Sequence, residues 1–216
     1  MSQIINTNIL SMTAQANLSK TQGSLSQAVT RLSSGLRING AKDDAAGLAI
    51  AETLRADVAG LNQAVRNAND GLSLIQAAEA GLNESANILA RLRELAMQSA
   101  SDGVGNTERG YIQTEASALK AELQRIAQVT EYNGTKLLDG SNTTLDFQVG
   151  VRASDNDKIA FNTLNATTAS LFVAALDLST KGGATAALAA IDSGLGAVSS
   201  ARATLGAAGN RFAETV

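Results

Sequence analysis

Between Asp43 and Ala100 an apolar residue returns every seventh position: Leu54, Leu61, Ala68, Ile75, Leu82, Leu89 and Ala96. Val58, Val65, Leu72 and Ala86 fill many of the positions four further on. A strict seven-residue period over six successive heptads keeps its members on one side of the chain only as a coiled-coil-like α-helix. At about 1.5 Å per residue that helix is about 85 Å long. The 216 residues include no proline, so no imino ring removes a helical N–H or clashes with the preceding turn. Gly60, Gly71 and Gly81 interrupt the pattern. Each costs about 1 kcal/mol against alanine and reads either as a tolerated weak spot or as a close approach by a neighbouring helix.

The same period marks three other segments. Near the start, Ile4, Leu18, Leu25 and Leu32 are spaced by multiples of seven, Ser11 takes the missing slot, and Val29 lies four after Leu25. This predicts an amphipathic helix whose polar face is Asn, Gln, Ser and Thr, marginal when alone. SDGVGNT (101–107) is a turn, and a third helix starts there with Asn106 or Thr107 as cap and Glu108 in its first turn. Its seam is Ile112, Leu119 and Ile126, with Ala116 and Leu123 beside it, and it folds back antiparallel on the second. A fourth helix runs from about Ala184, with Ile191, Val198, Leu205 and Phe212 at seven and Leu188 and Leu195 alongside. Its periodicity continues to the last residues without a glycine cap, which predicts that the helix is cut in its middle and that a C-terminal return helix is missing.

Between the third and fourth helices the period changes to two. Asn133-Gly134 is a turn signal. TLDFQVGV (144–151) alternates Leu145, Phe147, Val149 and Val151, and KIAF (158–161) is the returning strand of a small hairpin. Residues 162–182 carry no clear period. The fold class is therefore mainly α: a long antiparallel coiled-coil-like helical rod with a small β-hairpin region. Its parts are 1–42 (N-terminal helix and joint), 43–130 (core rod helices), 131–183 (hairpin and minimal variable region) and 184–216 (rod helix).

Composition removes most site chemistry. The chain has no His and no Cys, which excludes zinc sites built on them, Ser-His-Asp and Cys-His nucleophiles, and disulfides. No cofactor is expected. Residues 1–42 hold four bases, Lys20, Arg31, Arg37 and Lys42, and no acid; the remainder holds 13 bases and all 20 acids. Four bases without interleaved aromatics do not make a nucleic-acid surface, and no stretch approaches the ~20 apolar residues of a membrane span. Neither nucleic acid nor a membrane is an expected partner. The start is basic and Ser-rich like a transit peptide but shows no cleavage pattern. NGT, NTT and NAT match a glycosylation pattern.

One stretch, RLSSGLRINGAKDDAAGLAI (31–50), has the outline of a phosphate loop, Gly35 and Gly40 followed by Lys42. The lysine is one place late, no Ser or Thr follows it, and Asp43 and Asp44 would repel phosphate. Gly35 and Gly40 read as hinge positions and Asp43 and Asp44 as caps of the second helix. Asp155-Asn156-Asp157 begins like a calcium loop but lacks its glycine and its closing glutamate. No catalytic constellation forms.

Several long motifs carry a resemblance: MSQIINTNILSMTAQANLSKTQ, LSSGLRINGAKDDAAGLAIAETLRADVAGLNQAVRNANDGLSLIQAAEAGL, RLRELAMQSASDG, YNGTKLLDG and SARATLGAAGNRF. The chain resembles bacterial flagellin over roughly 1–150 and 184–216. The resemblance implies a filament subunit, exported unfolded through the flagellar type III apparatus and assembled outside the cell as a homopolymer for motility. It implies hook-junction and cap proteins as partners, and an export chaperone that binds the missing C-terminal segment. Ile4, Leu18, Leu25, Val29 and Leu32 would then form the polymerisation helix. ARLRELAMQSA is similar to the flagellin motif recognised by Toll-like receptor 5, with Arg91, Leu95 and Glu115 aligned with its contact residues; the same residues also read as a rod or subunit contact. A hook–filament junction protein of the same family is the alternative, although the KLLDG and RLREL regions are flagellin-like.

Overall fold

A computed structural model describes residues 8–142 and 144–215. It contains four helices, α1 (Ile9–Ser34), α2 (Ala45–Ala100), α3 (Asn106–Val129) and α4 (Lys181–Thr215), and two small antiparallel sheets, β1–β2 (Glu131–Tyr132, Thr135–Lys136) and β3–β4 (Thr144–Gln148, Lys158–Asn162). The mainly helical expectation holds. The chain divides into two compact units between Ala59 and Gly60, and α2 contributes to both.

In the first unit, α1 is capped at its start by Asn8, whose side chain accepts from Ser11 N at 3.2 Å. It ends at Gly35, whose φ of +68° a residue with a Cβ adopts only at a cost. The Gly35 N–H closes the last turn on Arg31 O at 2.9 Å. The joint that follows corrects the capping expectation. Asp44 alone caps α2, its Oδ1 accepting from Gly47 N at 2.8 Å. Asp43 closes the loop instead: its two oxygens accept from Asn39 N at 3.1 Å and from the Gln27 side chain at 3.0 Å. One carboxylate cannot satisfy both places, and the loop offers Asp43 two donors. Gly40 has no left-handed φ; its carbonyl accepts from Asp43 N at 3.0 Å. Ile38 sits against Gly47, where an added Cβ would fall 2.8 Å from its Cδ1.

In the second unit, α3 and α4 both run antiparallel to α2. Arg91 meets Glu115 at 2.8 Å, Arg93 meets Asp192 at 2.7 Å, and Lys181 meets Asp102 at 2.5 Å. The buried seam of α2 differs from the sequence expectation. Ala68, Ile75, Leu82, Leu89 and Ala96 are buried as the period requires. Their companions, however, lie three positions later, at Gly71, Ala78, Ser85, Leu92 and Ser99; Val58 and Val65 are exposed, and Leu72 and Ala86 are half-buried. In α4, Ala187, Gly194 and Ala208 likewise take the place expected of Leu188 and Leu195. The reason is size. Small side chains let the helix backbones approach, and hydropathy does not mark them. An added Cβ would fall 2.8 Å from the Phe212 ring at Gly71, 2.7 Å from Thr130 Oγ1 at Gly81 and 2.9 Å from Val151 at Gly60, so all three interior glycines mark close approach.

The third helix starts one residue early, after Gly105, with no side-chain cap. Asn106 is engaged elsewhere, accepting from Arg109 Nη1 at 3.2 Å. Arg109 is buried and also donates to Ser99 O and Ser101 O, each at 2.9 Å. Its guanidinium thus caps the C-terminal carbonyls of α2, where a cation also complements the helix dipole. Ile112, Ala116 and Leu123 are buried, Leu119 and Ile126 are half-buried, and Ala127 completes the seam.

The hairpin pairs Leu145 with Phe161 and Phe147 with Ile159. β3 ends at Gln148, so Val149 and Val151 lie outside the strand; Val149 N and Gly150 N both donate to Asp157 O. Asn133 (φ 49°) and Gly134 (φ 77°) make the two-residue turn of β1–β2, whose paired positive φ values match the twist of the strands. Phe147, Phe161 and Phe212 form one cluster, with ring centroids 5.5 to 6.4 Å apart, joining the hairpin to α4.

The segment without a period, 163–180, is a strap without regular structure. It buries Leu171, Val173, Leu176 and Leu178. Part of its polar backbone pairs with backbone, as in Val173 N to Thr168 O and Ala166 N to Leu138 O, and part is satisfied by side chains. Gln124 Oε1 accepts from Thr168 N and Oγ1, Lys120 Nζ donates to Ala174 O and Leu176 O, Gln113 Oε1 accepts from Leu178 N, and Ser99 Oγ donates to Leu178 O. Strain collects at Phe172, an exposed aromatic at φ +61°, a conformation that costs a bulky residue about 1–2 kcal/mol.

Two outcomes are expected. Lys120→Met keeps the side-chain length but leaves the Ala174 and Leu176 carbonyls without their donor, at about 1–2 kcal/mol; limited proteolysis should cut the strap faster, while the far-ultraviolet signal of the helices is unchanged. Hydrogen bonds from Asn39 N and then Gln27, with Arg31 and Lys42 nearby, hold the Asp43 carboxyl below its usual range. A depressed folded value means the joint is fully stabilised above the ordinary carboxylate pKa and loses that stabilisation as pH falls through the lowered one. Amide exchange at Asn39 should therefore speed up in acid, relative to its intrinsic rate, and Asp43→Asn should remove the dependence.

Candidate functional site

Two kinds of surface stand out, each within one unit. On α1 no residue is buried. Leu18, Leu25, Val29 and Leu32 are all exposed, Leu32 at 87 %. They share one helix face, and Ile9, Leu10 and Met12 are exposed as well. Ile4 lies outside the described residues. The start of α2 carries a second uncovered series, Ile50, Leu54 and Val58 in the first unit, and Leu61 and Val65 continue it in the second. Leu54 and Leu61 belong to the heptad pattern, yet they contribute nothing to the core of this chain. Regularly spaced uncovered aliphatic side chains of this kind mark an interaction surface.

The second surface is a charge cluster where α2 faces α3. Arg91 donates through Nη1 to Glu94 at 2.8 Å, and through Nε and Nη2 to Glu115 at 3.0 and 2.8 Å. Glu94 and then Glu115 raise the Arg91 pKa further above its ordinary value. All three side chains are about half exposed or more, so the pairs add little stability but hold the guanidinium in a fixed place. Leu95 does not join them. It is 2 % exposed and packs in the core, because it falls beside Ala96 on the buried face. Arg91 and Glu115 are brought together at the surface; Leu95 lies in the core.

Among the described residues, no group of three or more Asp or Glu side chains is placed to hold a metal ion. No described helix is long and apolar enough to cross a membrane. The structural residues that sequence reasoning missed are Arg109 and the strap-binding Gln113, Lys120 and Gln124. A faint signal existed for the last three: long polar side chains at positions i, i+7 and i+11 on one side of a helix.

Comparison with known proteins agrees with this architecture. Residues 5–143 match the family model described as the bacterial flagellin N-terminal helical region. The chain is 49 % identical over 162 residues to Flagellin 1 of Proteus mirabilis, covering 75 % of this chain and 44 % of that protein. It is 49 % identical over 159 residues to a flagellin of Xenorhabdus nematophila, covering 74 % and 50 %. It thus spans half or less of the length of these curated relatives. The crystal structure of Bacillus cereus flagellin superposes with a TM-score of 0.62 at 27 % identity, covering 70 % of this chain and 86 % of that one. A putative flagellar hook-associated protein from Vibrio parahaemolyticus shares the fold alone, at 14 % identity and a TM-score of 0.65, covering 82 % and 92 %. With more than half its length matched to the family model, the chain belongs to the bacterial flagellin family.

Proposed function

We propose that this chain is a structural subunit, not an enzyme, that polymerises with copies of itself into the extracellular flagellar filament used for motility. The observation that carries the reading is the uncovered apolar series on α1, which buries nothing in this chain. An amphipathic helix with an exposed aliphatic stripe is stabilised only when partners cover it, and side-by-side copies supply one partner for every subunit. Export by the flagellar type III apparatus fits the same segment. A helix that buries none of its residues costs little to unravel, and without cysteine no covalent loop can form. Cap and hook-junction proteins and the export chaperone are the further partners that this reading implies. The hook–filament junction alternative gains support from the fold alone.

Recognition by Toll-like receptor 5 is the finer reading. It is favoured by the position of Arg91, fixed between Glu94 and Glu115 and half exposed. In this reading Leu95 acts through packing, not through contact with the receptor.

The test of the main reading is electron microscopy of the chain, extended by a C-terminal return helix, on hook or filament seeds. Filaments should grow, and Leu25→Asp should slow elongation at least about tenfold, the equivalent of ~1.4 kcal/mol, without changing the melting of the second unit. Absence of growth with seeds present refutes the proposal. For the receptor, Arg91→Ala should lower signalling in a cell reporter assay with melting unchanged. Leu95→Ala should lower it only alongside a stability loss of about 2–4 kcal/mol. Equal signalling by wild type and Arg91→Ala sinks that reading.

A further inference from the structure

Asparagine is followed by glycine twice in this chain, at Asn39-Gly40 and at Asn133-Gly134. With no Cβ on the following residue, the main-chain nitrogen can close on the asparagine Cγ. That reaction is one reason asparagine is a thermolabile residue. The two pairs are alike in sequence, and the fold treats them differently.

In the joint, Asn39 is held at both of its nitrogens. Its Nδ2 donates to Thr30 O at 3.3 Å and to Ser34 Oγ at 3.0 Å, and its main-chain N donates to Asp43 Oδ2 at 3.1 Å. The amide that would leave is therefore anchored. Asp43 N closes the far side of the loop on Gly40 O at 3.0 Å. Ring closure at Asn39 has to break these contacts first.

Asn133 stands exposed at the tip of the β1–β2 hairpin. The polar side chains beside it are engaged elsewhere, Thr130 on Ile126 O and Lys136 on Glu131. Gly134 N has no backbone partner among the described residues, and an added Cβ there would meet nothing within 4 Å. Water reaches the pair from an open cavity of about 570 Å³ that Asn133 lines with Asp70, Tyr132 and Thr135. Asn133 also sits at φ 49°, a left-handed value that costs a residue with a Cβ, so the rotation that ring closure requires starts from a costly conformation. Only the tip is free to rotate. At the base, Leu137 N donates to Thr130 O at 3.1 Å, and an added Cβ at Gly81 would fall 2.7 Å from Thr130 Oγ1 and 2.8 Å from Leu138 Cδ1. The hairpin is thus seated on α2. Beyond that base its ladder is two residues long on each side, too short to be stable by itself.

We infer that Asn133, and not Asn39, is a site of spontaneous deamidation in the folded chain. Gly134 N attacks Asn133 Cγ and gives its proton to water, forming the N–Cγ bond of a five-membered succinimide. The Cγ–Nδ2 bond breaks, and Nδ2 takes up a proton and leaves as ammonia. Water then opens the ring. Cleavage of the new N–Cγ bond gives aspartate; cleavage of the original peptide bond gives isoaspartate. The sum is one water consumed and one ammonia released, with no change of oxidation state. Aspartate adds a negative charge to a cavity that already holds Asp70. Isoaspartate adds a methylene carbon to the main chain inside a two-residue turn, so Tyr132 and Thr135 lose their register while the Thr130–Leu137 base stays. The reaction needs one folded chain and does not depend on filament formation.

The experiment ages the full chain in mildly alkaline buffer, folded and in denaturant, and follows both sites by mass spectrometry. Trypsin places them in separate peptides, Ile38–Lys42 and Ile126–Lys136. In the folded chain Asn133 should convert at least about tenfold faster than Asn39, the factor expected for breaking the hydrogen bonds at Asn39. In denaturant the two rates should come within about threefold of each other, since the local structure that separates them is gone. Asp43→Ala frees Asn39 N, and should speed conversion at Asn39 at least about threefold while leaving Asn133 unchanged. Ser34→Ala removes an acceptor of Asn39 Nδ2 and should act in the same direction; circular dichroism checks that α1 persists in both variants. As isoaspartate accumulates at Asn133, amide exchange at Thr135 should quicken while Leu137 stays protected. The inference is overturned if Asn39 converts as fast as Asn133 in the folded chain, or if their ratio is the same in denaturant. It is also overturned if Asn133 keeps its amide when folded and loses it when unfolded, or if neither variant changes the rate at Asn39.

Discussion

The second unit depends on the closeness with which other elements approach one face of α2. That face alternates large aliphatic residues (Ile75, Leu82, Leu89) with small ones three positions on (Ala78, Ser85). Where Gly71 stands, the Phe212 ring occupies the space a side chain would need. Phe212 then meets Phe147 and Phe161, so the hairpin is fixed to the helices through a contact that requires a missing Cβ. Glycine costs about 1 kcal/mol in a helix interior. Burial of an aromatic ring returns more than that, which is why the interruption is compatible with a long helix.

Packing against α2 sets the rest in order. Arg109 ends α2 and begins α3 with the same side chain, so the turn is held by a cation at the negative end of a helix dipole. The strap reaches α4 along α3 without forming a strand or helix. Its backbone groups cannot stay unpaired where Leu171, Val173 and Leu178 are buried, and Gln113, Lys120 and Gln124 supply the missing partners. An irregular segment thereby belongs to the core while its outer residues, Phe172 among them, face solvent.

The first unit has the opposite character. α1 has a start cap, a left-handed glycine stop and a full apolar stripe, but it buries nothing. Its local signals are complete, and its contacts beyond the helix are hydrogen bonds to the joint with no apolar burial. A helix in that condition gains most from other molecules, as the proposed filament subunit would require. The joint contributes the one fixed feature: Asp43 draws Asn39 and Gln27 onto one carboxylate, and Asn39 reaches back to Thr30 O and Ser34 Oγ.

The number, order and approximate limits of the helices, the Asn133-Gly134 turn and the pairing of a strand starting at 144 with one starting at 158 were legible in the sequence, because period and turn chemistry are local properties of the chain; the end of the first strand at Gln148 was not. The flagellin motifs were legible for the same reason: they are runs of residues. On α3, Ala116 and Leu123 were legible; the second half of the α2 and α4 seams was not, since most of its members are Gly, Ala or Ser and only a facing element shows that they are buried. Nor was the path of 163–180, whose backbone partners ahead of the strap lie 28 to 79 residues away in sequence. The roles of neighbouring residues also needed the tertiary structure. Arg91 and Leu95 share a helix, but a rotation of a few tens of degrees separates surface from core. Asp43 and Asp44 share a motif, and the reach of Gln27 across the joint decides which of them caps the helix.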